Sequence, residues 1–344
     1  MSKLDTAGTE VSAQELVVAL RRDGIVEPLA TFPNRGEGHQ ALIRYLRRKG
    51  RVVRVCLEST GLYGLDLVLA LSEQEGIEVM VANPRAVRHF ATALMKRSKN
   101  DQIDAGVLEE FAARMPFQPW QRPSVAAFTL HALARRLGEL VEMQVAEKNR
   151  RHAAELSSAI PAAIRRDLAR SIRAQERALA RLTREARQVI AQDPNLTERF
   201  ELLDSTPGIA ESSAIQILAE LAVLSPDLEA RQWVAYAGLD PRQHTSGSSV
   251  QKKTRISKAG NAHLRRDLYM PALVAVQHDP YLRAFYLRLL QRGKLKMQAL
   301  VAVMRKLLHA FHAMFKTHQP FDGSKLFRLN STCLQEVPSV PVAS

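Results

Sequence analysis

Cysteine is nearly absent. The 344 residues hold two, Cys56 and Cys333, far apart and in no CxxC spacing. That excludes a disulfide framework and the common zinc sites. Long apolar runs are missing as well. No stretch of about 18 apolar residues occurs, so no segment reads as a membrane span. Nor does a basic-then-apolar opening read as an export signal, and the cytoplasm is the expected compartment. Aromatic residues make up only 6% of the chain, which argues against a protein that grips single strands mainly by base stacking.

What is plentiful is positive charge. Lys and Arg number 49 against 35 Asp and Glu, a net charge of +14. Such an excess suits a polyanionic partner, because each phosphate contact releases counterions. A basic surface kept soluble by repulsion accounts for the same number. With 46% hydrophobic residues, the chain has material for about two domains with real cores.

The first third alternates strand and helix signals. Residues 15–20, 26–32, 52–59 and 77–84 read as strands, the last stopped by Pro84. Residues 36–50 and 63–76 read as helices closed by glycine, and 87–114 as a further helix. The order β-β-β-α-β-α-β-α predicts a mixed sheet with helices on its faces. In the middle, Leu130, Leu133, Leu137 and Leu140, then Leu168, Ile172, Leu179, Leu182 and Val189, recur at helical spacing, with Gln175 filling one seam position. They predict two long amphipathic helices packed as a coiled coil, a rigid spacer or a dimerisation device. Beyond about residue 200 the pattern is mainly helical, with "TPGIA" as a turn and a Gly/Ser/basic loop region across 232–261. The expected divisions are 1–120, 121–195, 196–322 and a loose tail at 323–344.

Acids stand where an apolar pattern does not expect them. Asp101 and Asp104 lie three apart, and Val107, Leu108 and Phe111 continue the helix face of Asp104. A lone ionised carboxylate aimed there is costly to desolvate, and a cation removes the difficulty. Capping, with Asp101 at the helix N-cap, accounts for the pair taken alone. Glu58 ends an otherwise apolar strand, at the sheet edge where sites form in such folds. A fourth acid belongs on the first strand, with Glu10 or Asp5 as candidates. Three or four such carboxylates call for Mg²⁺ or Mn²⁺, and two such ions can activate a nucleophile and stabilise a leaving oxygen at a phosphodiester.

A second stretch, "HTSGSSVQKKTRISKAGNAHLRR", carries Lys252, Lys253, Arg255, Lys258, Arg265 and Arg266 with no acid among them. A single-sign run beside Gly and Ser suits phosphate contacts, and a solvated loop has the same composition. Ser246 opens this run. Chemistry alone ranks it with Ser248 and Ser249, since no histidine stands out as its base.

The element order, with "GTEVSAQELVVAL", "CLESTGLYG", "VANPRAVRHFA" and "KNDQIDAGVL", resembles the RuvC/RNase H-like amino-terminal domain of the insertion-sequence-110 family of bacterial transposases. "LLDSTPGIAESSAIQILAEL", "WVAYAGLDPRQHTSG", "TRISKAGNAHLRRDLY" and "RGKLKMQALVAVMRKLL" resemble that family's second domain, in order. The resemblance implies a metal-binding tetrad at Glu10, Glu58, Asp101 and Asp104, with glutamate at 10 where the family usually carries aspartate. It implies a nucleophile at Ser246, which forms a transient phosphoserine link to DNA. It further implies donor and target DNA as substrates, a bridge RNA as guide, and an assembly of two or four copies that share composite sites. Two rivals stay open at this point. One is a metal-dependent junction-resolving nuclease without serine chemistry, the other a non-catalytic nucleic-acid-binding protein.

Overall fold

A computed structural model describes residues 4–48, 50–58, 63–96, 98, 100–246 and 250–329, without the side chains of 243–246 and 250–253. The chain divides into two compact units, Met1–Arg122 and Pro123–Ser344.

The first unit is built on one mixed sheet. Its strands are β1 (Asp5–Val11), β2 (Glu15–Arg22), β3 (Ile25–Val26), β4 (Ala30–Pro33), β5 (Val53–Glu58) and β6 (Ile77–Ala82). The order across the sheet is β3-β2-β1-β5-β6, with β4 also paired to β2. β1 and β2 are antiparallel, whereas β1, β5 and β6 run parallel. The arrangement is consistent with the RuvC/RNase H-like plan.

Side chains alternate across the sheet, and each face has its own core. Ala7, Leu16, Leu20, Val53, Val55 and Leu57 pack against α1 (Gly36–Leu46) and α2 (Leu65–Ser72). Cys56, Met80 and Ala82 face the other way, onto α3 (Pro84–Ala93) and α4 (Asp101–Arg114). The single helix expected at 87–114 is thus two helices. Met95, at φ 58°, closes the first, and Asn100 restarts the second by accepting the Ile103 N–H.

The second unit is mainly helical. The long helices α5 (Val125–Glu155) and α6 (Ala162–Gln192) pack along each other. Leu130, Leu137, Ile172 and Gln175 are buried, as the sequence spacing expects. The pair shares one core with α7 (Pro194–Asp204), α8 (Glu211–Ala222), α9 (Ala230–Tyr236) and the helices α10 (Ala262–Asp267), α11 (Tyr269–His278), α12 (Pro280–Gln291) and α13 (Lys296–Thr317). The expected loop region is instead α9 followed by a hairpin, β7 (Pro241–Ser246) and β8 (Val250–Ile256). The first residues of the expected tail make contacts within the unit. Lys306 Nζ donates to the Leu326 carbonyl at 2.5 Å, and Phe285 packs on Phe327. The remainder of the expected tail lies outside the described residues.

Candidate active site

The site is assembled by strand register. Gly8 pairs with Cys56 and Thr9 with Leu57 along the parallel β1–β5 ladder. Glu10 and Glu58 are therefore the next residues along on neighbouring strands, at the carboxyl ends of both. Glu58 shares the face of Cys56, two residues before it, and Cys56 packs in the core that α4 helps build. Burial, with the nearby Glu58 charge, pushes the Cys56 thiol up to about 12, so it is no nucleophile.

Glu10 lies on the α4 side too. Directly opposite it on β2 is Val17, which packs with Ala105 of α4. α4 rests on β1 backbone to backbone. A Cβ at Gly8 would collide with the Ala105 oxygen and the Glu109 nitrogen. Farther down the strand, Thr6 Oγ1 donates to Glu109 Oε1 at 2.6 Å. The helix thus runs antiparallel to β1. Two strand residues advance about 6.6 Å and four helix residues about 6 Å. Stepping from Thr6 to Gly8 to Glu10 therefore steps from Glu109 to Ala105 to the first helical turn, which carries Asp101 and Asp104. Because Asn100 holds the N-cap, capping by Asp101 does not account for that pair.

Asp5 stands at the opposite end of β1, paired with Val53. It is fully buried between Arg22 and Arg51, each 3.6 Å away, and takes no part in the acidic edge.

Sequence reasoning missed Glu109. This carboxylate is 2% exposed and receives Arg21 in a fork, Nε to Oε1 and Nη2 to Oε2, both at 2.8 Å. The hydrogen bond to Glu109 raises the Arg21 pKa. The pair of glutamates in "LEEF" gave no sign of which one is buried, since the partners lie 88 residues apart.

The four acids are oxygen donors of the type that hard divalent cations take; Glu10 and Glu58 lie at one end of neighbouring strands, and the α4 turn with Asp101 and Asp104 runs toward that end. Their side chains are not drawn into a cage. Among the described residues, no group of three or more His, Cys, Asp or Glu is placed to hold a metal. Residues 59–62, next to Glu58, lie outside the described set.

In the second unit, Ser246 ends β7 and pairs with Val250 across the hairpin turn. The base of that hairpin is fastened to α9. Ser257 Oγ donates to Asp240 Oδ1 at 2.5 Å, and the Asn261 N–H to the Tyr236 carbonyl at 2.6 Å. A side chain at Gly260 would collide with the same carbonyl. Asn261 Nδ2 also reaches Glu220 Oε2 at 2.5 Å and the Tyr236 hydroxyl at 2.8 Å. Glu220 is buried and takes Arg135 Nε from α5 at 2.7 Å. Burial pushes the Glu220 carboxyl up, but a hydrogen bond from His131 and the charge of Arg135 outweigh it and hold its pKa below the usual value.

Of the six basic candidates, Arg255 and Lys258 are exposed. Arg265 turns in to the Ala237 carbonyl at 2.9 Å. Arg266 pairs with Glu142 and with Asp267. The side chains of Lys252 and Lys253, like that of Ser246, lie outside the described set.

Two sequence models match this chain. Residues 8–161 match a transposase model built on the family's DEDD domain, and residues 200–287 match the transposase IS116/IS110/IS902 family. Between them they reach into both units. Both models describe transposases, and the chain is similar to the IS116/IS110/IS902 family.

Relatives agree with that similarity. This chain is 29% identical to a pilin gene-inverting protein of Moraxella bovis over 297 residues, 85% of its own length and 90% of the relative's. It is 29% identical to the pilin gene-inverting protein of Moraxella lacunata over the same shares. A transposase for insertion sequence element IS1111A of Coxiella burnetii is 24% identical over 226 residues, 59% of this chain and 61% of that one. The chain is thus an enzyme of the DNA-cutting recombinase class. Among its described residues, no helix is long and apolar enough to cross a membrane.

Proposed function

We propose that this chain cuts and rejoins the DNA of an insertion sequence, using the acids Glu10, Glu58, Asp101 and Asp104 and the hydroxyl of Ser246. The observation that carries the reading is the register. Two strand-end glutamates stand side by side beneath the helical turn that bears two aspartates. These four residues would hold the cation, and what Mg²⁺ or Mn²⁺ supplies there is charge neutralisation at the phosphate and its leaving oxygen. Glu10, not Asp5, is the first-strand acid in this reading, because Asp5 is tied to two arginines at the far end of β1.

The Ser246 oxygen forms a bond to phosphorus as one sugar oxygen departs and takes up a proton. Because the phosphodiester is exchanged rather than hydrolysed, a second strand's hydroxyl can reverse the step and rejoin DNA without an outside energy source. Lys252, Lys253, Arg255 and Lys258 flank the serine on β8 and beyond, suited to gripping the backbone.

Guidance by a bridge RNA belongs to the same reading. It leaves sequence choice to base pairing, which fits the broad basic charge and the few aromatics. Assembly in two or four copies through a coiled coil belongs to it too. Val141 and Val145 are exposed one helical turn apart on α5, and Leu156 and Ile164 are exposed near its junction with α6.

The deciding experiment traps a covalent protein–DNA adduct and identifies the attached residue by mass spectrometry. Ser246 is the expected attachment. Ser246→Ala should lose the adduct and strand joining. Cutting that survives in Ser246→Ala would assign the acids to water activation, the junction-nuclease chemistry.

A further inference from the structure

A cleft of about 300 Å³ opens at the carboxyl ends of β1 and β5, on the sheet face opposite α4. It is lined by Ala13, Asn34, Arg35, Gly36, His39, Tyr63 and Asp66. Ala13 follows Glu10 by three residues and Tyr63 follows Glu58 by five, so the cleft borders the acidic edge. The proposed chemistry does not use it.

The floor of the cleft is built. Asn34 donates one amide hydrogen to the Ser12 carbonyl at 2.7 Å and the other to the Tyr63 carbonyl at 3.0 Å. Its Oδ1 is thereby left to accept, and it faces His39 Nε2 at 2.8 Å, so that nitrogen carries the hydrogen. His39 is 5% exposed. One side chain thus ties the β1–β2 turn, the start of α1 and the approach to α2 into a fixed frame, which lowers the cost of ordering a ligand there.

The rim is different. Tyr63 is 60% exposed, an aromatic ring at the mouth of a polar cleft in a chain with few aromatics. Arg35 is 70% exposed, and its pairing with Glu37 at 3.3 Å is solvated, which leaves it little bound. Asp66 adds an acceptor. A stacking ring, a guanidinium for phosphate and a polar floor match one nucleotide. The volume lies at the low end of small-ligand sites, too small for a base pair with its backbones.

We propose that this cleft is a subsite for one unpaired nucleotide of the DNA strand whose phosphate is processed at the acidic edge, with Tyr63 stacking on the base and Arg35 on its phosphate. The placement rests on the function proposed above, whereas occupancy of the cleft is measurable without catalysis.

The test uses the full chain and two probes, single-stranded oligothymidylate carrying one 5-iodouracil and its RNA counterpart. After irradiation, mass spectrometry should find the DNA probe attached at Tyr63. Tyr63→Ala and Arg35→Ala, both at exposed positions, should each weaken binding of single-stranded DNA about tenfold with duplex affinity unchanged. Tyr63→Phe, which keeps the ring, should restore the single-strand affinity. Attachment only outside the cleft, attachment of the RNA probe alone, or single-strand affinity unchanged in Tyr63→Ala each overturns the subsite. Mg²⁺-dependent strand cutting by the wild type is followed in parallel. Attachment at Tyr63 without any cutting would overturn the catalytic reading and leave the subsite standing. Cutting with no role for Tyr63 would do the reverse.

Discussion

Gly8 carries more of this site than its size suggests. Its missing side chain lets α4 touch β1, and that contact sets the height of Asp101 and Asp104 above Glu10. Gly8→Ala must push the helix away or bend the strand, at a cost of about 1–3 kcal/mol. Thermal unfolding of the variant should fall accordingly, and cutting should fall further than stability, because the displaced residues are the proposed ligands. A variant that melts lower but cuts normally would separate helix placement from the chemistry. Asp104→Asn is the sharper substitution. It keeps the shape and removes one charge, so metal-dependent cutting should drop by orders of magnitude while the melting temperature stays close to that of the wild type. The DxxD pair stood out in the sequence because an apolar stripe follows the carboxylates on the same helix face. Gly8 was not, since nothing in "DTAGTEV" distinguishes a glycine that a helix rests on from one in a turn.

At the scale of elements, α4 is held at its middle by Glu109, forked by Arg21 and hydrogen-bonded by Thr6. Glu109→Ala leaves Arg21 without its partner and should cost about 3 kcal/mol, read as an earlier midpoint in urea unfolding followed by circular dichroism. Arg21→Met with Glu109→Leu should recover much of that loss, since a partly buried pair is replaceable by packing. The alternating sheet and the long helices were readable because their apolar periods of two and about 3.6 are dictated by which faces are buried. The β7–β8 hairpin was not readable. Its ladder runs through Gln, His and Lys, residue types that signal solvent and not strand. α12 went unmarked although Asp279 and Pro280 open it as N-cap and first residue, a start signal that an apolar-period scan passes over. The acidic edge was only half visible. The residue types were in the sequence, but the register that aligns Glu10 with Glu58 belongs to pairing across 48 residues of chain.

For the whole molecule, charge and protonation give the measurable behaviour. Burial lowers the pKa values of His39, His263 and His309 below the ordinary imidazole value of 6.5. Each then binds its proton more readily when unfolded. Stability should therefore be complete above about pH 6.5 and decline as pH falls through the depressed folded values. Glu220, held low by its partners, adds a second decline below the ordinary carboxylate value of 4.5. Chemical-denaturation midpoints measured from about pH 8 down to about pH 2 should trace both arms, and His309→Gln should flatten the first. The net charge of +14 predicts DNA affinity that falls steeply with salt. Removing the exposed Arg255 or Lys258 should lower the slope of log affinity against log salt by about one unit each, measured by fluorescence anisotropy on a fixed duplex. An unchanged slope would place those two side chains away from the phosphates.

The hairpin arm that ends in Ser246 is clamped at its foot, which makes it comparable to a boom of set length. Its six-residue arm reaches about 20 Å, with one irregularity between Arg242 and His244. Lengthening each arm by two residues would carry the hydroxyl about 6.6 Å outward and keep it on the same side. Lengthening each by one would move it half as far and swing it to the other side. Reach and parity are thus separable by insertion alone, and an active two-residue extension beside a dead one-residue extension would mean that the orientation of the serine matters more than its distance.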